Sequence, residues 1–171
     1  MKVLIIYHSE HHQNTEKIAR TMATKIDAEF KEAKEVSTED INNYDIIGFG
    51  SGVYGGRLHE DLSEIIDKIP YQDNKKSFIF STTGSLSYSR LAHDRFKPFL
   101  IKKGFRIIGE FSCLGFDTAL TREGINKGRP DKQDLENAER LSFFIIRIWY
   151  SKKFNNLSNY ILAAPRCEIS N

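Results

Sequence analysis

Short apolar runs alternate along this chain with stretches of helical period. Val3–Tyr7 is continuously apolar, as a strand buried on both faces requires. From about Asn14 the positions Ile18, Met22 and Ile26 recur every four residues with Ala19 and Ala23 beside them. That spacing predicts an amphipathic helix capped by Asn14 or Thr15. Glu29–Lys34 reads as a more polar edge strand, Asp40–Tyr44 as a turn and Asp45–Gly50 as the next buried strand. Leu62, Ile65, Ile66 and Ile69 mark a helix that Pro70 stops. Lys76–Ser81 is a strand, and Ser89–Lys103 a helix with Ala92, Phe96, Phe99 and Leu100 on one side. Gly104 follows as its left-handed C′ residue. Arg106–Leu114 is a fifth strand, Gly115–Arg129 a long glycine-containing loop and Asp131–Tyr150 the last helix.

Strands that alternate with helices predict an α/β fold. The expected architecture is a three-layer, doubly wound, five-stranded parallel sheet in the order 2-1-3-4-5. Residues 1–150 form its one domain. Leu135, Ala138, Leu141, Ile145 and Ile148 give the last helix a core face, and Phe143, Phe144, Ile146 and Trp149 widen it beyond one stripe. The C-terminal extension 151–171 is expected to pack on that excess; the other candidate cover is a partner subunit, as a homo-oligomer through the last helix or the tail.

Composition narrows the function classes. The chain has 171 residues, 40% hydrophobic and 28% charged, which is ordinary globular material. A formal net charge of +2, without a basic aromatic stripe, argues against nucleic acid. Cys113 and Cys167 make no disulfide framework, and Cys113 has no lysine, arginine or histidine beside it, so it reads as an inert thiol. No signal-peptide pattern and no run of membrane-spanning length stands out, so the expected location is cytoplasmic, with no membrane partner.

Three loops carry the chemistry, each between a strand and a helix. In the order 2-1-3-4-5 such loops converge on one crevice at the strand carboxyl ends. The first, His8–Thr15, offers unpaired helix N–H groups plus Ser9, Asn14 and Thr15 as donors, either a phosphate site or a plain cap. The second, Ser51, Gly52, Val53, Tyr54, Gly55 and Gly56, joins a supple backbone to an aromatic that can stack on a flat ring; the bland reading is a turn with a surface tyrosine. The third, Ser81 through Tyr88, supplies donors at Thr82, Thr83, Gly84 and Ser85 for a polar ring edge, and Tyr88 for its other face. Together they describe a pocket for a phosphorylated, flat cofactor.

Several competing motifs fail. There is no Gly-x-x-x-x-Gly-Lys-Ser/Thr loop and no Gly-x-Ser-x-Gly elbow around Ser85. Gly50-x-Gly52-x-x-Gly55 matches the dinucleotide fingerprint formally, but on the third strand and without an acidic residue about twenty positions on. His8, His11 and His12 have no carboxylate or cysteine at ligand spacing, so no metal site is expected. His59 and His93 fall on predicted helices, where surface or capping roles are the rule.

Over about residues 1–149 the chain resembles the flavodoxin family. The loop Ser9–Thr15 is similar to that family's hydroxyl-rich phosphate loop closing in Asn-Thr, and the two later loops resemble those that hold the isoalloxazine ring of FMN. The run Phe111–Asp117 with Gly124–Pro130 and Asp134–Ala138 resembles one prokaryotic branch of these proteins. The resemblance implies non-covalent FMN, phosphate contacts from Ser9, Asn14 and Thr15, Tyr54 and Tyr88 near the ring, and a flipping carbonyl near Gly55. His11, His12, Gln13 and Ser51 complete the implied cofactor set. It implies electron transfer to a redox partner protein or a small-molecule acceptor. Two other readings stand beside it. One is an NAD(P)H-dependent FMN or quinone reductase, with Arg122, Lys127 and Arg129 on dinucleotide phosphates; the other is a binding module that has lost FMN. Two features depart from the family: Gln13 stands where glycine is expected, in a loop one residue longer, and the net charge lacks the strong acidity of carrier flavodoxins.

Overall fold

The computed structural model describes residues 1–119, 121 and 123–153. In chain order it contains β1 (Val3–His8), α1 (Asn14–Ile26), β2 (Glu29–Glu32), β3 (Ile46–Tyr54), β4 (Arg57–Leu58), α2 (Glu60–Lys68), β5 (Lys75–Thr83), α3 (Leu86–Lys102), β6 (Phe105–Leu114) and α4 (Lys132–Lys153). The parallel sheet runs β2-β1-β3-β5-β6, and β4 pairs antiparallel with β3 at its carboxyl end. Without that short hairpin strand, the order is the expected 2-1-3-4-5.

Alternation along the strands divides the core. Leu4, Ile6, Ile47, Phe49 and Ile79 face α2 and α3, where Leu62, Ile66, Ala92, Phe96 and Leu100 meet them. Val3, Ile5, Phe78 and Phe80 face α1 and α4, where Ile18, Met22, Ala138, Leu141 and Ile145 close the other layer. Gly48 and Gly50 on β3 leave room there: a Cβ at Gly48 would come within 2.3 Å of the Phe78 ring edge, and one at Gly50 within 2.1 Å of the Phe80 ring edge. Gly104 takes φ +82°, as a left-handed C′ residue should.

Several elements differ from the sequence expectation. β3 does not stop at Gly50; Ser51–Tyr54 continue the strand and fold back onto Arg57–Leu58 through a Gly55-Gly56 turn at φ +56° and +72°. β2 ends at Glu32, and Ala33–Glu35 tightens into a 3₁₀ turn. α3 begins at Leu86, and Phe99 points outward at 41% exposure. Leu135, Ile146 and Trp149 are half-buried and Phe143 is exposed. Lys25 Nζ lies 4.7 Å over the Phe143 ring and Lys76 Nζ 4.3 Å over Trp149, so ammonium groups cover part of the apolar excess. The helix continues to Lys153, and the expected packing of the tail lies outside the described residues beyond it. Among the described residues, no helix is long and apolar enough to cross a membrane.

Candidate functional site

At the carboxyl ends of β1, β3 and β5 the three loops surround one cavity of about 620 Å³. A void of that size suits a small molecule or cofactor, for which roughly 300–1,000 Å³ is usual. Ser9, His11, Asn14 and Thr15 line it from the first loop, and Gly52 through Gly56 from the second. Thr82, Thr83, Gly84, Ser85 and Tyr88 line it from the third.

The first loop turns sharply into α1. His12 and Gln13 both take left-handed conformations, at φ +57° and +53°. Gln13 therefore occupies the N-cap, and its side chain caps nothing; neither Asn14 nor Thr15 is the cap. The backbone N–H groups of the first helical turn have no carbonyl partner within the helix and face the loop. Ser9 Oγ accepts from Glu16 N at 3.4 Å and remains on the cavity wall.

Side chains then tie the loops together. Thr15 Oγ1 and Thr82 Oγ1 lie 2.9 Å apart, joining the first loop to the third. Asn14 Nδ2 donates to Phe116 O at 2.8 Å, while Asn14 Oδ1 is buried with no partner. Gly115 makes this approach feasible, since a Cβ there would come within 2.8 Å of Asn14 Nδ2. Asn126 Nδ2 donates to Gly84 O at 2.8 Å and reaches Gly115 O at 3.3 Å. A fourth wall results, from Gly115 to Ala119 with Ile125, which the sequence reading left out. Its signal was the third glycine-bearing loop at a sheet carboxyl end. Asp117 from this wall packs its carboxylate against Gly84, and its Oδ1 accepts from Ala119 N at 2.7 Å.

Three expected residues stay out of the lining. His12 turns away, its ring 4.3 Å from that of Phe116 and tilted 45° to it, and 3.2 Å from Thr118 Oγ1. Gln13 is exposed at the cap. Ser51 is buried behind the wall, donating to Gly52 O and accepting from His59 N at 2.9 Å. Glu10, not expected, lines the cavity. It sits beside Tyr54, whose phenol is pushed up to about 12 by burial first and by the Glu10 carboxylate next.

The remaining candidates resolve differently. His59 caps α2, accepting from Asp61 N at 3.3 Å, as a capping role predicts. His93 is not at the surface; it is 3% exposed and bonded to Ser81 and Glu110. Cys113 is buried, at 3% exposure. Arg129 is held by Asp131 at 2.9 Å and Asp134 at 2.6 Å, so its charge is already matched. Arg122 lies outside the described residues.

A family model for the flavodoxin domain matches residues 4–115. The chain belongs to the flavodoxin family. An uncharacterized protein of Methanocaldococcus jannaschii is 42% identical over 150 residues, covering 86% of this chain and 99% of that protein. Among solved structures, a flavodoxin from the domain Archaea superposes with TM-score 0.65 at 15% identity, over 86% of this chain and 98% of that one. A flavoprotein from Lactobacillus acidophilus, solved in complex with FMN, superposes with TM-score 0.50 at 20% identity, over 65% of this chain and 92% of that one. At such identities the two structures speak for the fold.

Proposed function

We propose that this flavodoxin-family chain binds FMN non-covalently in the cavity and serves as an electron carrier. The observation that carries the reading is the convergence of a helix N-terminus, two tyrosines and a glycine turn on one cavity. Membership of the family and the FMN complex of the Lactobacillus acidophilus flavoprotein support it.

The residues present fit the group. The first-turn N–H groups of α1 and the Ser9 hydroxyl offer an anion several donors without a lysine. Asn14 Oδ1, buried and unpartnered, offers an acceptor on the same wall. Tyr54 and Tyr88 provide aromatic surface, and Gly55 has open space around it, so its peptide can reorient beside a ring. When bound, the flavin supplies the redox chemistry; the protein binds it, orients it and limits water around it. No side chain has to act as acid or base. The Glu10 carboxylate lines the same cavity, beside Tyr54.

The carrier reading stands ahead of an NAD(P)H-dependent reductase because Arg129 is committed to Asp131 and Asp134. The test is an absorbance spectrum of protein incubated with FMN and desalted, followed by anaerobic NADPH. Retained flavin bands that NADPH leaves unbleached are expected. Rapid bleaching would make the chain a reductase, and a colourless protein would refute flavin binding.

A further inference from the structure

Behind the Tyr54 wall, His8 at the end of β1 and His59 at the start of α2 stack face to face. Their ring centroids are 3.5 Å apart and their planes differ by 7°. One ligand atom each from His8, His59 and Glu10 lie within 4.8 Å of one another. We propose that His8, His59 and Glu10 form a site for a borderline divalent cation, of the zinc, cobalt or nickel kind, at the edge of the cavity, with Glu10 shared between the two.

Four observations carry this. The His8 side chain is 7% exposed, yet its Nε2 has no hydrogen-bond partner. A buried nitrogen left unsatisfied is costly, and a lone pair held dry is what a metal ligand needs. Asp61 Oδ2 at 2.8 Å and Glu32 Oε1 at 3.1 Å stand at the other nitrogen, Nδ1. Those carboxylates bring negative charge close to Nδ1 without a hydrogen bond, since His8 Nδ1 and Asp61 Oδ2 also lack a hydrogen-bond partner, so both nitrogens of this buried ring are unsatisfied.

Charge points the same way. Glu10, Glu32 and Asp61 converge on the cluster, and the cation given to it is Lys34, 3.4 Å from Asp61 and itself exposed. The excess negative charge suits a dication, and two imidazoles with one carboxylate select borderline transition ions over magnesium or calcium. Access comes from the Glu10 side, where Glu10 and His59 are partly exposed.

The stack sets a condition. Co-facial rings cannot both direct in-plane lone pairs at one ion, so His59 must swing out of the stack. In doing so it releases its cap bond to Asp61 N. Binding therefore couples to the start of α2 and, through Glu10, to Tyr54.

The experiment is a titration of the full chain with Co²⁺, read by the metal's own visible absorption, with Zn²⁺ as competitor. The expected result is saturable one-to-one binding displaced by Zn²⁺, weakened at least tenfold by His59→Ala or His8→Gln and about tenfold by Glu10→Gln. A variant carrying both His11→Ala and His12→Ala should bind as the parent does. Far-UV circular dichroism checks folding; if buried His8 does not tolerate substitution, the more exposed Glu10→Gln and His59→Ala decide. Absent saturation, parental affinity in His59→Ala and Glu10→Gln, or loss in the His11/His12 variant would overturn the site. Because cobalt reports directly and no flavin is added, failure of the FMN reading leaves this result intact.

Discussion

Ser81 Oγ lies 2.9 Å from Nε2 of His93, whose Nδ1 lies 3.0 Å from Glu110 Oε2. The order hydroxyl, imidazole, carboxylate is that of a hydrolytic triad. Here it is a structural tie between β5, α3 and β6, because Ser81 is 0% exposed and a second hydroxyl, Ser112 Oγ, shares it at 2.9 Å. A fluorophosphonate probe should leave the intact mass of the protein unchanged, since no electrophile reaches Ser81. A single phosphonyl adduct mapped to Ser81 would show that the network opens.

Glu110 should show in acid. Burial pushes its carboxyl up, but the bonds from His93 and Lys97 outweigh burial and leave it below its usual 4.5. A carboxylate depressed by folding contributes stability that is present above the unfolded value and is lost as pH falls through the folded one. Denaturant midpoints should therefore fall below about pH 4.5, and Glu110→Gln should fall less steeply. At pH 7 that substitution should cost about 1 kcal/mol, the value of a partly exposed charged hydrogen bond. Parallel pH profiles for the two proteins would contradict the assignment.

Gln13 carries backbone strain. A non-glycine residue at φ +53° gives up about 1 kcal/mol relative to glycine, part of which the freer unfolded chain takes back. Gln13→Gly should raise stability by about 0.5 kcal/mol, seen as a higher urea midpoint with an unchanged slope. Its flavin retention should match the parent's, because the Gln13 side chain lies outside the cavity lining.

Asn14 holds the fourth wall. Asn14→Ala removes the donor to Phe116 O and should cost about 1–2 kcal/mol. Hydrogen exchange should quicken in residues 115–119 more than in β1. Uniform quickening across the sheet would show that the bond serves the whole fold instead.

Tyr44 should show in alkali. Burial, then its hydrogen bond to Glu29, pushes its phenol up to about 12. A group raised by folding contributes stability that is full below the unfolded value of 10.0 and is lost as pH rises toward 12. The parent should lose on the order of 1 kcal/mol over that interval through this residue, the shift being discounted for solvent screening of the phenol. Tyr44→Phe should lose correspondingly less, with Tyr7 and Tyr54 still titrating. Equal losses in both proteins would count against a buried phenol.

Local signals announced most of the sheet and much of the cavity. Val3–Tyr7 and 46–50 are apolar on both faces, as parallel strands buried on both sides require. Ser9, Asn14 and Tyr88 were visible because donors at a helix start and an aromatic after a strand carry their chemistry in the local sequence. What stayed hidden depends on pairing across long separations. The extension of β3 through Tyr54 exists because Arg57–Leu58 folds back on it, and no period-two signal marks two residues. His93 is buried because Glu110, seventeen residues on, satisfies it. The partnership of His8 with His59 and Glu10 likewise needs the β1–β3 register, which brings Ser51 beside His8 and the following turn over it.

The layer that α4 completes has a consequence for truncated chains. Val3, Ile5 and Tyr7 belong to the core layer completed by Ala138, Leu141 and Ile145 of α4. α4 itself packs on β6 and α1, so without it the β6 side of that layer stays uncovered. A product truncated before α4 presents Phe111 and Cys113 of β6 on an apolar sheet face. Such chains are sticky, so a chain cut short of α4 should aggregate where the full one does not.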